Sequence, residues 1–598
     1  MVSTLQLVFA GFAVYWMAVL AVKRAGFLPS YVSTQGPILL VHTKRGRDFL
    51  DWAAGPRRFW RAWANVGVGI ALVVMFGAFV FLLDAALSTI QNPPPPTAVN
   101  QPKNVLVIPG VNDFLPLSVA PEILFGLAVG LIVHEGGHGL LCRVENIDIE
   151  SMGIGLLAIL PIAAFVEPNE KARRKASRGA QTRMFAAGVT NNFAITIVAF
   201  ALLFGPVAGS IAVADGALVG GVAQGSPAAQ AGLDGGDRVT AVDGTAVQNN
   251  SHFVDLLDAS NSTTVDITVN GEETRSLERA VLVQQSLVDG PTGLDSGATI
   301  HSVNGTDVHT VSEFREAVAA TPGPVELRAT TADGENVTTT FVAGAYVRVA
   351  EDGALAAEGP EPETNLVVTQ FAGERIVTWS DLSEAIETTE PGQPVEVVAY
   401  DDGQRAVYNV TMGGSGSDAQ LGVFAGSFGT TGLEVTDLGV QFYPADRYLA
   451  ILGGGDQSSL NAFASSFFGK MLFVLILPVV GVVSGATGVL PYNFAGFTGE
   501  INNFFVATGP LGFLGGGLFL LANLLFWTGW INIQLGFFNC IPAFPLDGGH
   551  ILRTSTEAVM SRLPIQATRR RVRLVTTTVG LTMLVSFLVL ILGPRLLA

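Results

Sequence analysis

Seven apolar blocks at or near bilayer length divide this chain, more than a soluble globule of this size can bury: Leu5–Val22, Val66–Leu87, Ile123–Val133, Phe185–Leu203, Met471–Val489, Leu511–Phe526 and Leu581–Leu592. A spanning helix needs roughly 20 mainly apolar residues, and with their flanks most of these blocks reach that length. The stretch Leu511–Ile551 exceeds one span and is read as two helices divided near Trp530, which brings the expected total to about eight crossings. Only 14% of the 598 residues are charged, so one fully soluble fold is excluded. The expected class is a polytopic α-helical membrane protein with an inserted soluble α+β region.

Charge locates that insert. Between Ser210 and Leu460 lie 36 acidic and 9 basic residues, a local −27 within a chain of net −17, so the remainder carries +10. Basic residues gather in the loop Lys23–Arg61, in Lys171–Arg183 and in the run Arg562–Arg573, and cytoplasmic loops favour Lys and Arg. Alternation then puts the amino terminus, the Pro-rich loop Gln91–Lys103 and the acidic insert outside, in a multi-pass protein of the cell membrane. The acidic balance gives no reason to expect nucleic acid as a partner. Only 6 of the 33 basic residues are Lys, and this Lys-poor acidic surface suits concentrated salt, so a halophilic source is expected. Cys142 and Cys540 both lie outside the insert, which therefore has no disulfide framework. Lys23 and Arg24 follow the first apolar run instead of preceding it, so that run is expected to be retained as a helix.

Within the insert, Asp237–Val247, Ala298–Val308 and Leu366–Ile376 align on Gly244, Gly305 and Gly373. Each is followed by a short amphipathic helix (His252–Leu257, Val311–Val318, Trp379–Ile386) and a β-rich run (Thr264–Val269, Pro324–Ala329, Pro394–Ala399), an internal repeat of roughly sixty residues. Ahead of the first copy stand Gly216-Ala-Leu-Val and Gly225-Ser-Pro-Ala-Ala-Gln-Ala-Gly-Leu. This copy resembles a PDZ domain, whose peptide ligand adds as a strand; Gly216, Ala217, Leu218 and Val219 are the residues expected to receive a peptide terminus or extended segment. The second and third copies lack the Gly-Ser-Pro-Ala-Ala turn and are PDZ-like, with peptide binding left open. Small β-rich spacers are the alternative reading of all three.

His134-Glu-Gly-Gly-His138 ends an apolar run. On a helix the two imidazoles lie one turn apart on one face, the spacing that presents both to one metal. Zinc suits this set: catalytic zinc takes three protein ligands and keeps a position for water, whose proton Glu135 is placed to accept. Ionisable groups in a membrane helix are costly unless used. A third ligand is sought in another apolar segment, and Asn539-Cys-Ile-Pro-Ala-Phe-Pro-Leu-Asp-Gly-Gly-His550 offers Asp547. Pro542 and Pro545 break a helix beside it, and Gly548 and Gly549 leave room for another chain segment. The competing reading of Asp547 is a helix cap. His550 is not expected to be a ligand, because a filled fourth position leaves no place for water.

These paired motifs resemble the site-2 protease family of intramembrane metalloproteases, with HExxH on one membrane helix and Asn-x-x-Pro through Leu-Asp-Gly on another. A third family feature is matched by Ala187-Gly-Val-Thr-Asn-Asn192, with Val189 where Pro is usual. Ile147–Glu167 is similar to the family's membrane-associated β segment, which holds substrate as an extended strand; by periodicity alone a half-spanning helix remains open. The resemblance implies a zinc metalloendopeptidase acting on membrane-spanning proteins, with one zinc ion per chain held by His134, His138 and Asp547, Glu135 as general base, and Asn192 and Asn539 orienting substrate. The implied organisation is a helix pair with a cytoplasmic loop (1–115), a first protease half (116–208), a PDZ domain (209–285), two PDZ-like repeats (286–345 and 346–412), a linker with some strand content (413–465) and a second protease half with a last helix (466–598). The resemblance says nothing of the first two helices. A non-catalytic adaptor and a metal transporter are the rival classes, disfavoured by the complete ligand set and by the absence of further ligands along other helices.

Overall fold

The computed structural model describes residues 4–94, 104, 108–112, 114–158, 160–287, 290–401, 403–416, 418–458, 460–484, 490–563 and 568–597. It separates into two compact units, one of residues 1–212, 446–499 and 506–598, the other of 213–445 with 500–505. Most of the Pro-rich loop, the end of the Met471–Val489 block and part of the basic run Arg562–Arg573 lie outside the described residues.

The first unit is helical. Among the described residues, five of its helices are long and apolar enough to cross a membrane: Arg57–Gln91, Leu117–Val144, Arg178–Ser210, Gly516–Cys540 and Arg569–Leu596. To these are added the 21-residue helix α1 (Thr4–Arg24) and a shorter apolar helix, Phe467–Val482. The division expected near Trp530 is not there. Gly516–Cys540 runs unbroken through it, and the break falls at 541–546 ahead of a short helix, Asp547–Met560. Pro542 and Pro545 set that position, because a proline lacks the N–H that a continuing helix needs.

Before the HExxH helix come a hairpin of β1 (Val32–Gln35) and β2 (Ile38–His42), then α2 (Arg45–Ala53) and α3 (Arg57–Gln91); the HExxH helix itself is α4 (Ala120–Val144). The segment Ile147–Glu167 is a hairpin, β3 (Ile149–Leu157) and β4 (Leu160–Pro168), which excludes a half-spanning helix. The sheet order is β1-β2-β3-β4. The first hundred residues thus supply half of the sheet beside α4. The phenol of Tyr15 on α1 joins the two hairpin turns, donating to the Pro37 carbonyl at 2.9 Å and accepting from the Ala158 N–H at 2.8 Å.

After a short α5 (Glu170–Lys175), α6 (Arg178–Leu202) packs between α4 and Gly516–Cys540. Glycines permit the approach: a Cβ on Gly126 would lie 2.8 Å from the Trp527 carbonyl oxygen, and one on Gly137 would lie 2.8 Å from that of Ala187. Helices without a hydrophobic driving force between them pack where small residues allow it. Charges collect where α3 begins and α4 ends. Glu145 receives Arg183 at 2.9 Å and Arg61 at 3.2 Å, and Arg57 reaches Asn146. Burial alone would raise the Glu145 carboxyl, but the two guanidiniums hold it below its ordinary value.

The second unit repeats one motif three times. Each copy has an opening strand (Ala217–Val222, Val281–Ser286, Ala345–Val349), a second strand (Arg238–Val242, Thr299–Val303, Asn365–Phe371), a helix (Asn250–Asp258, Val311–Ala319, Trp379–Glu387) and a hairpin. The aligned Gly244, Gly305 and Gly373 all take positive φ, 78°, 80° and 86°, the left-handed turn that glycine permits without strain. What the sequence does not announce is how each copy closes. The opening strands pair with Val440–Phe442, Leu433–Thr436 and Val423–Thr430 respectively, in reverse chain order. The copies are therefore nested, the third inside the second and the second inside the first, and not the tandem domains expected. Residues 413–465 are correspondingly not a linker: their strands complete all three copies, with Leu438 and Val440 in the first core, Leu433 in the second and Leu421 in the third.

Between the first two copies sits a buried ion pair. Arg279 and Asp437, 1% and 5% exposed, meet at 2.6 Å, and the second carboxylate oxygen of Asp437 accepts the Val311 N–H at the start of the second helix.

Candidate metal centre

The helical period of α4 sets His134 and His138 one turn apart, and Gly188 on α6 makes space for their rings. A Cβ there would fall 2.7 Å from His138 Nε2 and 2.8 Å from His134 Cε1. His138 Nδ1 faces the Met184 carbonyl at 2.8 Å, which leaves Nε2 bare when Nδ1 carries the proton.

Asp547 opens its helix without capping it; the N-cap is Leu546, with no side-chain cap bond. The carboxylate instead turns to the histidines. His134 Nε2 to Asp547 Oδ2 is 3.1 Å, His138 Nε2 to Asp547 Oδ2 is 3.2 Å, and the two Nε2 atoms are 3.2 Å apart. Ligands held at zinc distances in a tetrahedron are separated by about 3.3 Å, so the triangle has the size of one face of such a site. Asp547 Oδ2 is buried and, among the described residues, has no hydrogen bond of its own beyond its 3.1 and 3.2 Å approach to the two Nε2 atoms. The donor set of two imidazoles and a carboxylate fits zinc.

Gly548 and Gly549 do give close approach, but to the chain's own preceding turn: a Cβ on Gly549 would lie 2.8 Å from the Ala543 carbonyl carbon. This packing folds Asp547 back toward α4. His550 lies aside, its ring stacked on Phe185 at 4.3 Å.

Glu135 belongs to the same group; ligand atoms of His134, Glu135 and His138 lie within 4.8 Å of one another. Its Oε2 accepts the backbone N–H of Val166 on β4 at 2.9 Å. The base candidate thus touches the terminal strand of the sheet.

The two asparagines differ. Asn192 is fully buried on α6, and both its amide atoms lack partners among the described residues. Asn539 gives its Nδ2 to the Leu535 carbonyl one turn back on its own helix at 3.0 Å. Asn191, which the motif did not single out, donates to the Val133 carbonyl at 3.4 Å and accepts the Trp63 indole N–H at 3.0 Å, linking α3 to the backbone beside His134. A tryptophan in the basic amino-terminal segment was the available signal, but nothing in its spacing pointed to α6.

Gly216, Ala217, Leu218 and Val219 do not form a peptide-receiving edge. Ala217 and Leu218 pair with Val239 and Arg238 on one side, while on the other Leu218 accepts from the Tyr443 N–H and Val219 pairs with Phe442. A strand paired on both sides cannot take a third, and the occupant is the first copy's own closing strand.

The sequence pattern defining peptidase family M50 matches residues 122–587. The zinc metalloprotease RasP of Oceanobacillus iheyensis is 23% identical over 231 residues, 37% of this chain and 46% of that protein. An uncharacterized protein of Methanocaldococcus jannaschii is 26% identical over 192 residues, 32% of this chain and 48% of that one. The chain spans about half the length of these curated relatives.

Proposed function

The chain belongs to peptidase family M50, and on that premise we propose that it is a zinc metalloendopeptidase of the site-2 type, cutting membrane-anchored proteins within or beside the bilayer. The observation that carries this reading is the triangle of His134, His138 and Asp547 donor atoms at 3.1–3.2 Å with Glu135 alongside. These three residues would hold one zinc ion per chain, which when bound supplies a Lewis acid for water and for the scissile carbonyl. Glu135 accepts the proton of the attacking water and passes it to the leaving amine as the C–N bond breaks. A helical peptide bond is shielded by its own hydrogen bonds, so the substrate is unwound and laid along β4, the terminal strand that already touches Glu135. Asn192, buried with neither amide atom hydrogen-bonded among the described residues, orients the substrate or its oxyanion; Asn539 keeps its amide oxygen and one N–H for the same role.

The expected setting is the cell membrane, with the basic ends of α3, α4 and α6 cytoplasmic. The meeting of Arg61, Arg183 and Glu145 supports one shared face for these helix ends. The insert then stands outside, where an acidic, Lys-poor surface suits a halophilic source and where substrate peptides are filtered before they reach the site.

Metal content of the detergent-purified chain tests this, with His134→Ala and Asp547→Ala alongside and cleavage of a membrane-spanning peptide scored on the same samples. About one zinc per chain, lost with cleavage in both variants, is expected. A zinc-free wild type prepared without chelator would overturn the reading in favour of an adaptor.

A further inference from the structure

A groove of about 800 Å³ lies in the third copy, between the beginning of the closing strand Val423–Thr430 and the helix Trp379–Glu387. We propose that this groove docks an extended internal segment of a protein, one that pairs with the strand, places an apolar side chain on the helix and carries a neighbouring Lys or Arg.

Backbone geometry supplies the first argument. Val423, Phe424 and Ala425 lie opposite Val349, Arg348 and Val347. Val349 gives its N–H to the Thr364 carbonyl on its other side, so Val349 and Val423 form a non-hydrogen-bonded pair. Antiparallel ladders alternate; the N–H and C=O of Val423 and, two residues on, of Ala425 therefore point away from the sheet. Such outward groups are what an added strand pairs with.

Side chains supply the second. Trp379 and Ile386, both half-buried, present apolar surface across the groove, with Ser383 between them. In the first copy the corresponding space is closed by Phe442, whose ring meets Phe253 of the first helix at 5.8 Å. Phe442 pairs with Val219, and at the matching register the third copy has Ala425, opposite Val347. The third copy has lost the plug.

Charge selects the occupant. Glu351, Asp352 and Glu363 line the groove. Arg348 is engaged with Glu363 at 3.3 Å and with the Phe424 ring at 5.7 Å, while Glu351 and Asp352 make no ion pair among the described residues. This rim attracts a cationic side chain and repels a terminal carboxylate, so the segment is internal to its protein and not a carboxyl-terminal tail. Binding here requires neither the metal nor proteolysis and stands apart from the protease reading.

The test uses the full chain in detergent with Glu135→Gln, so that no peptide is cut, and reads fluorescence anisotropy of a labelled, amidated peptide of alternating lysine and valine. Binding is expected to weaken by about tenfold or more in Glu351→Lys/Asp352→Lys and in Ser383→Arg, and a glutamate-for-lysine peptide should not bind. A photoreactive version should cross-link to residues 379–386 and 421–425. The proposal fails if wild-type groove residues give no binding, if both variants bind as the parent does, if the acidic peptide binds equally, or if the cross-links map elsewhere.

Discussion

The helical unit and the insert solve opposite problems. Around His134 the chain brings a few polar groups into an apolar setting and gives each a bearing: His138 against Met184, Asp547 folded back by its glycines, Glu135 on the β4 backbone. The insert carries polar surface throughout and is defined instead by pairing, each copy finished by a strand far along the chain. In the first, single residues decide the outcome; in the second, connectivity does. Chemistry and stability should therefore respond to different substitutions, and each of the following separates them.

Glu135→Gln removes the proton acceptor and leaves the ligand triangle whole. Cleavage is expected to fall by about 10²–10⁴-fold with zinc content unchanged; equal losses of both would show that Glu135 holds the metal site together. Asp437→Ala leaves Arg279 buried without its partner, and breaking one half of such a pair costs about 3–5 kcal/mol. Denaturation of the insert should shift accordingly while the chain still binds zinc, and a parallel loss of zinc would break the proposed independence of the two regions.

Gly188→Ala pushes a methyl against both imidazoles. Zinc affinity should drop by about 10–100-fold, measured by competition with a chelator, with no change in the insert. Glu145 gives a pH signature. Because its folded pKa lies below the ordinary value of 4.5, its contribution to stability is present above that value and disappears as pH falls through the depressed one. The melting temperatures of wild type and Glu145→Gln should differ at neutral pH and converge on acidification; a constant gap would contradict the Arg61 and Arg183 pairing. Tyr15→Phe, which removes one hydroxyl bridge between the hairpin turns, should cost about 1 kcal/mol and show first as faster hydrogen exchange at Ala158.

The grouping of His134, His138 and Asp547 could be anticipated because its signals are local. His134 and His138 are separated by one helical turn, and Asp547 is an acid beside two prolines, so residue type and short spacing suffice. Asn191 was missed because its importance comes from Trp63, more than a hundred residues earlier. The Val32–His42 hairpin carried a usable signal, β-branched and apolar residues on either side of Gln35-Gly36-Pro37, but it stood outside the matched motifs. In the insert the repeated glycines and helices were visible for the same local reason. The closing strands were not, since Val440–Phe442 is three residues long and its partner at Ala217–Val222 lies more than two hundred residues away. Placing a peptide on Gly216–Val219 followed from that omission.

Nesting also fixes a calendar for synthesis. The third copy obtains its last strand when Thr430 has been made, the second at Thr436 and the first only at Phe442. The segment begun first is thus the last to be completed, and the outer copies must wait unfinished while the innermost settles. Long-range closure of this kind slows folding and prolongs exposure of unpaired strands. A nascent chain halted just before residue 423 would hold three open sheets and no finished one, whereas twenty further residues would close them all.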